Sequence, residues 1–132
     1  MTLQRLNPEG LFQPQAYSQV VLASGNRMVF IAGQVAVDGS GKVAPEGRSF
    51  ADQTQKAFLN VGRALAAAGA RPMDVTKLTI YVVHYSPEYM ATIGEARRAV
   101  FGDTLPASTL IGVESLAQPE FLIEVEAIAV LG

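Results

Sequence analysis

Cysteine is absent from the chain, and histidine occurs once, at His84. The first absence excludes disulfides, thiolate catalysis and cysteine–zinc sites. The second rules out a multi-histidine cluster, so no metal site is expected. Concentrated positive charge is missing as well. Ten basic against twelve acidic residues leave a formal charge of −2, and the densest basic feature is the pair Arg97-Arg98. Binding nucleic acid by phosphate neutralisation needs a basic patch, so no nucleic-acid partner is expected. No apolar run approaches the roughly 20 residues that span a bilayer. The start, Met-Thr-Leu-Gln-Arg-Leu-Asn-Pro, has no apolar stretch of signal-peptide type. No membrane partner and a cytoplasmic location are the expectation. Neither a repeat nor a low-complexity linker interrupts the sequence, so one domain over residues 1–132 is expected.

What is present suits a packed core: 49% of residues are hydrophobic and 17% charged. Residues 122–130, Leu-Ile-Glu-Val-Glu-Ala-Ile-Ala-Val, alternate strictly. Ile123, Val125, Ala127 and Ala129 share one face of a strand, and Glu124 and Glu126 the other. Two carboxylates one pleat apart are costly to bury, so they face water or belong to a site. Upstream, Ser18 to Ala23 reads as a strand. Ser24-Gly25-Asn26-Arg27 reads as a turn whose Gly and Asn can take positive φ. Met28 to Ala32 reads as the return strand of a hairpin. Residues 38–48 form a polar, Gly-containing loop.

Ser49 caps a helix running to about Ala68, with Gly69 as its stop. Ser49, Ala57, Val61, Ala64 and Ala68 would face one way, with Phe58 and Leu65 beside them. Thr76 to Val83 is a strand in which Leu78, Ile80 and Val82 alternate against Lys77, Thr79 and Tyr81. Ser86-Pro87-Glu88 opens a second helix ending near Phe101, before Gly102. Ala107 to Val113 and Leu122 to Val130 are the last strands, separated by Pro119. The order is β-β-α-β-α-β-β, with an extra strand around Leu3 to Leu6. This is an α+β fold in which two helices cover one face of the sheet. The other face, with Glu124, Glu126 and Tyr81, is too mixed for a core and too apolar for plain solvent. It is expected to meet other subunits.

Ile31-Ala32-Gly33-Gln34, Gln53-Thr54-Gln55 with Ala57, Asn60-Val61 and Ala68-Gly69-Ala70, Asp74-Val75 with Lys77 and Thr79, Leu105-Pro106-Ala107, and Ile123 to Ala129 follow one another in a specific order. In that order and spacing the chain resembles the Rid family of reactive-intermediate deaminases, also called YjgF. The resemblance implies a chorismate-mutase-like fold of the bacillus type and a homotrimer built as a barrel, with small-molecule clefts between subunits. It implies hydrolysis of 2-imino or enamine acids, such as 2-aminoacrylate, to the 2-keto acid and ammonia, without metal or organic cofactor. Glu126 aligns with the family's water-holding glutamate and Tyr17 with a tyrosine lining the cleft. Gly33 keeps the glycine of the family's Ser-Gly-Gln, where the backbone approaches a ligand.

Three positions depart from the family pattern. Ser108 stands where an arginine grips the substrate carboxylate. Ala32 replaces a serine, and Gly94 replaces an asparagine of the second helix. One hydroxyl offers a single donor and no charge, whereas a guanidinium offers a bidentate fork. Charge-assisted hydrogen bonds are worth roughly 1.5–3 kcal/mol each, so losing the pair costs on the order of a hundredfold in affinity. No neighbouring arginine compensates in this reading, because Arg97 and Arg98 lie on the second helix. Weak or absent 2-aminoacrylate deaminase activity is therefore expected. Ala32, Gly94 and Ser108 would make room for a larger, neutral ligand.

Plainer readings stand beside these. Glu126 can be a structural carboxylate paired with Lys77. Tyr17 can be an interface tyrosine. His84 reads as a loop or interface residue, and Met28, Met73 and Met90 as packing. Two functions stay open: an imine or enamine hydrolase of altered specificity, and a non-catalytic module binding a small ligand or partner in the same clefts. Ribonuclease activity, attributed to some relatives, is disfavoured by the acidic balance.

Overall fold

The computed structural model describes residues 2–132. The chain runs β1 (Thr2–Leu6), β2 (Val20–Ser24), β3 (Arg27–Gln34), α1 (Phe50–Ala67), β4 (Val75–Val83), α2 (Met90–Phe101), β5 (Ala107–Val113) and β6 (Ile123–Leu131), with single 3-10 turns before α1, β4 and α2. This is the expected α+β order with the extra N-terminal strand included. Four strands form the main sheet in the order β3-β6-β4-β5. β6 is antiparallel to both neighbours, and β4 and β5 run parallel on either side of α2, as a helical crossover requires.

The expected hairpin between the second and third strands does not form. β2 pairs with β1, from Thr2↔Ser24 to Leu6↔Val20. β3 is taken instead by β6, from Arg27↔Leu131 inward. The turn at Ser24-Gly25-Asn26 carries the chain from one ladder to the other, and Asn26 N–H donates to the Leu131 carbonyl at 2.9 Å. Gly25 and Asn26 do not take positive φ. Glycine is needed here for closeness, because a Cβ at position 25 would strike the Leu131 carbonyl.

Ser49 caps α1 as expected, accepting from the Asp52 N–H at 3.1 Å, and Gly69 ends it at φ +73. The buried stripe is centred further round than expected: Ala57, Phe58, Val61 and Leu65 are fully buried, while Ala68 is exposed. Gln53 and Thr54 are buried with them. Gln53 clamps the lead-in to β6, donating to the Glu120 carbonyl at 2.8 Å and accepting from the Leu122 N–H at 3.0 Å. α2 begins at Met90 after the 3-10 turn Pro87–Tyr89, and the Ser86 side chain makes no cap bond. Phe58 meets Phe101 edge-on at 6.4 Å, joining the two helices. Together they cover the face of the sheet carrying Leu78, Ile80, Val82, Ile123, Val125, Ala127 and Ala129. The opposite face, with Lys77, Thr79, Tyr81, Glu124 and Glu126, stays half-buried.

Candidate functional site

Glu126 lies on the uncovered face, opposite Thr79 of β4. Its Oε1 accepts a hydrogen bond from the Tyr81 hydroxyl at 2.9 Å. That bond raises the Tyr81 pKa above the usual tyrosine value: ionising the phenol would break the bond and set an oxyanion beside a carboxylate, and burial adds to the shift. Among the described residues Lys77 forms no ion pair with Glu126; its Nζ donates to Thr109 Oγ1 at 2.6 Å. A cavity of about 390 Å³ opens here, with Phe30, Ala32, Lys77, Thr79, Glu126 and Ile128 on its walls.

The β3–β6 register shifts between Ile31 and Gln34, so Ala32-Gly33 forms an irregularity beside the site. The Glu124 side chain lies against Gly33, in the space a Cβ would need. Ala32, Gly33 and Glu126 are thus brought to one surface.

Tyr17, Gly94 and Ser108 gather elsewhere. Ser108 pairs with Leu78 across the parallel ladder, which turns it to the helix side of the sheet. Ser18, 3% exposed, fixes Tyr17 beside it. Ser18 N–H donates to the Pro106 carbonyl at 3.1 Å and its Oγ to the Leu105 carbonyl at 2.5 Å. The three residues share a cavity of about 270 Å³ between α2 and the β4–β5 pair.

Arg97 lines the same cavity. Its place on the second helix did not lead one to expect Arg97 in the cavity of Ser108, and α2 brings it there. Position 97 lies three residues beyond Gly94, so helical spacing returns it to the same face. Burial pulls the Arg97 pKa below its ordinary value, the like charge of Arg98 adds to this, and Asp103 opposes it. Arg98 itself folds back over Gly94, where a Cβ would come within 3.3 Å of its Nη1.

Within one chain these two groups do not meet. Adjacent residues of β4 point to opposite faces, so Thr79 borders the Glu126 cavity and Ile80 the Ser108 cavity. His84 stands apart at the end of β4, exposed, with φ 48 and its N–H donating to the Val113 carbonyl. Sequence reasoning missed Tyr81, Arg97 and Ser18 as site residues. The strand alternation had placed Tyr81 on the face of Glu126, but their contact depends on the β4–β6 register. Among the described residues no group of three His, Cys, Asp or Glu side chains is placed to hold a metal. No helix among the described residues is long and apolar enough to cross a membrane.

Residues 11–131 match the family model described as endoribonuclease L-PSP. The chain belongs to the Rid (YjgF) family. It is 35% identical over 118 residues to the rat 2-iminobutanoate/2-iminopropanoate deaminase, covering 89% of this chain and 81% of that one. It is 36% identical over 113 residues to a RutC family protein of Pyrococcus horikoshii, covering 86% and 85%. The crystal structure of the Rid family protein YyfB from Yersinia pestis superposes with a TM-score of 0.90 at 38% identity, over 99% of this chain and 100% of that one. The α+β, chorismate-mutase-like fold of the Rid family is thereby that of this chain.

Proposed function

We propose that this Rid protein hydrolyses an imine, enamine or related C–N bond of a substrate other than simple 2-imino acids, in clefts assembled between copies of the chain in a homotrimer. Glu126 positions the water and manages its protons. Water adds across C=N, a carbinolamine forms, and the nitrogen leaves as ammonia while the carbon becomes a carbonyl. No metal or organic cofactor takes part. One observation carries the reading: Glu126 is half-buried in a cavity, and the Tyr81 hydroxyl holds one carboxylate oxygen while the other is free to take a water. The deaminase relatives favour the same chemistry.

The shared cleft is supported by the division of the site. Glu126, Ala32 and Gly33 lie on one surface, and Tyr17, Gly94 and Ser108 on another, so joining them takes a second copy. Met28, 60% exposed, and Phe30, 70% exposed, flank the Glu126 side and suit burial against that copy. A second reading, a non-catalytic module binding a small ligand in the same clefts, is favoured by Ser108, Ala32 and Gly94 standing where the family has polar groups.

The test is ammonia release from freshly generated 2-aminoacrylate and from longer enamine acids, using wild type, Ser108→Arg and Glu126→Gln. Wild type is expected to be poor on 2-aminoacrylate, and Ser108→Arg to gain activity on it. Glu126→Gln should lose about a hundredfold or more on whichever substrate is turned over. Turnover that survives in Glu126→Gln overturns its assigned role. Ligand binding with no turnover on any imine would establish the second reading.

A further inference from the structure

Tyr17, Ser108 and Gly94 surround a cavity whose walls are otherwise largely apolar, from Ile80, Ile93 and Leu110. One charge reaches it. Arg97 is only 7% exposed, and its Nη1 is fully buried with no hydrogen-bond acceptor among the described residues. Buried charged donors are ordinarily paired, and a guanidinium remains protonated rather than escape the cost by losing its charge. Arg98, its neighbour in sequence, can only repel it. No salt bridge to Arg97 is formed among the described residues, where the one ion pair is Arg71–Asp74. A cation held in low-dielectric surroundings, on a residue that lines a cavity and with one guanidinium nitrogen unpaired, is poised for an anion. The volume, about 270 Å³, suits a small carboxylic acid with a short apolar chain.

We propose that Arg97 is the anion anchor of the cleft and takes the carboxylate of an acidic imine or enamine substrate, holding it from α2 instead of from β5. Ser108 is then no sign of a neutral ligand. The cation has moved from a strand to the facing helix, and the carboxylate is gripped at a different point of the cleft. A substrate whose carboxylate is separated from the C=N bond by intervening carbons fits that displacement better than 2-aminoacrylate does. This rests on the hydrolase reading for the nature of the reacting bond, but anion binding needs no turnover and is measured without it.

The experiment is calorimetric titration of the full-length protein with 2-oxobutanoate and 4-oxopentanoate, stable keto-acid counterparts of a short and a longer imino acid, each beside its uncharged methyl ester. At least one acid should bind wild type tenfold or more tightly than its ester, as expected for one charge-assisted hydrogen bond. Arg97→Gln should erase that preference, and Arg97→Lys should keep part of it. Arg48→Gln, at an exposed arginine ahead of α1, should bind the acid as wild type does, which separates the anchor from a general effect of net charge. Equal binding of acid and ester, no binding of either acid at millimolar concentration, or a preference that survives in Arg97→Gln would each overturn the proposal. Should the variants fail to fold, the Arg97 Nε–H resonance of wild type decides: it must move with the acid and stay still with the ester.

Discussion

The contact between Tyr81 and Glu126 has a measurable consequence in alkaline solution. Because the Tyr81 phenol donates to Glu126, its neutral form is favoured in the folded protein and its pKa is raised. The bond's contribution to stability is complete below the ordinary tyrosine pKa, about 10. It is lost as pH rises through the raised value, since there the folded state holds a proton the unfolded chain has released. Of the four tyrosines, one should therefore ionise late in a titration followed at 295 nm. Tyr81→Phe should remove that late phase, and Glu126→Gln should shift it towards the others. A single common transition for all four would mean that the bond does not persist in solution. Glu126 was legible in the sequence because a carboxylate in an apolar, alternating strand is conspicuous. Its partner was not, because a hydrogen bond between β4 and β6 depends on a register that neither segment encodes alone. The same holds for Arg97. Its position on α2 was evident, but its burial beside Ser108 depends on how that helix seats on the sheet.

Two glycines separate what an element tolerates from what it does not. At Gly25 an added Cβ meets the backbone carbonyl of Leu131, which is fixed in the β3–β6 ladder. Gly25→Ala should cost about 1–3 kcal/mol, the usual range for forced overpacking. At Gly33 the obstacle is the Glu124 side chain from Cγ outward, which is half-exposed and can rotate away, unlike a backbone carbonyl. Gly33→Ala should cost below about 1 kcal/mol. Urea denaturation of both variants checks the contrast, and equal losses would refute it. The limits of α1 were readable because Ser49 and Gly69 act locally, through a cap and a left-handed stop. The β2–β3 hairpin was misread for the opposite reason. Two strands flanking a Gly-Asn turn look like a hairpin from nearby residues alone, yet β6, about a hundred residues downstream, supplies the edge that β3 pairs with.

For the whole molecule, the uncovered sheet face is the feature without a partner. Met28 and Phe30 on β3 expose large apolar side chains, and the Glu126 cavity opens beside Phe30. Sedimentation should find the protein at three times the 14.0 kDa mass of one chain. Phe30→Asp should shift it to the monomer, because a charge buried without a partner at an interface is strongly disfavoured. Under the proposed function, the same variant should lose imine hydrolysis although Glu126 and Tyr81 are untouched, since a shared cleft would draw its other half from a second copy. A wild-type monomer that hydrolyses its substrate would refute the shared cleft.

Composition and local pattern sufficed to exclude cysteine and multi-histidine chemistry, to bound α1, the end of α2 and most strands, to assign the faces of β4 and β6, and to reach the family. Each of these depends on residues close together in the chain or on counts over all of it. Tertiary structure alone decided which strands pair, that the six expected site residues divide between two surfaces, and that a cation stands beside Ser108. Those outcomes arise from contacts between distant segments, where ladder register and helix seating, not local propensity, determine which side chains meet.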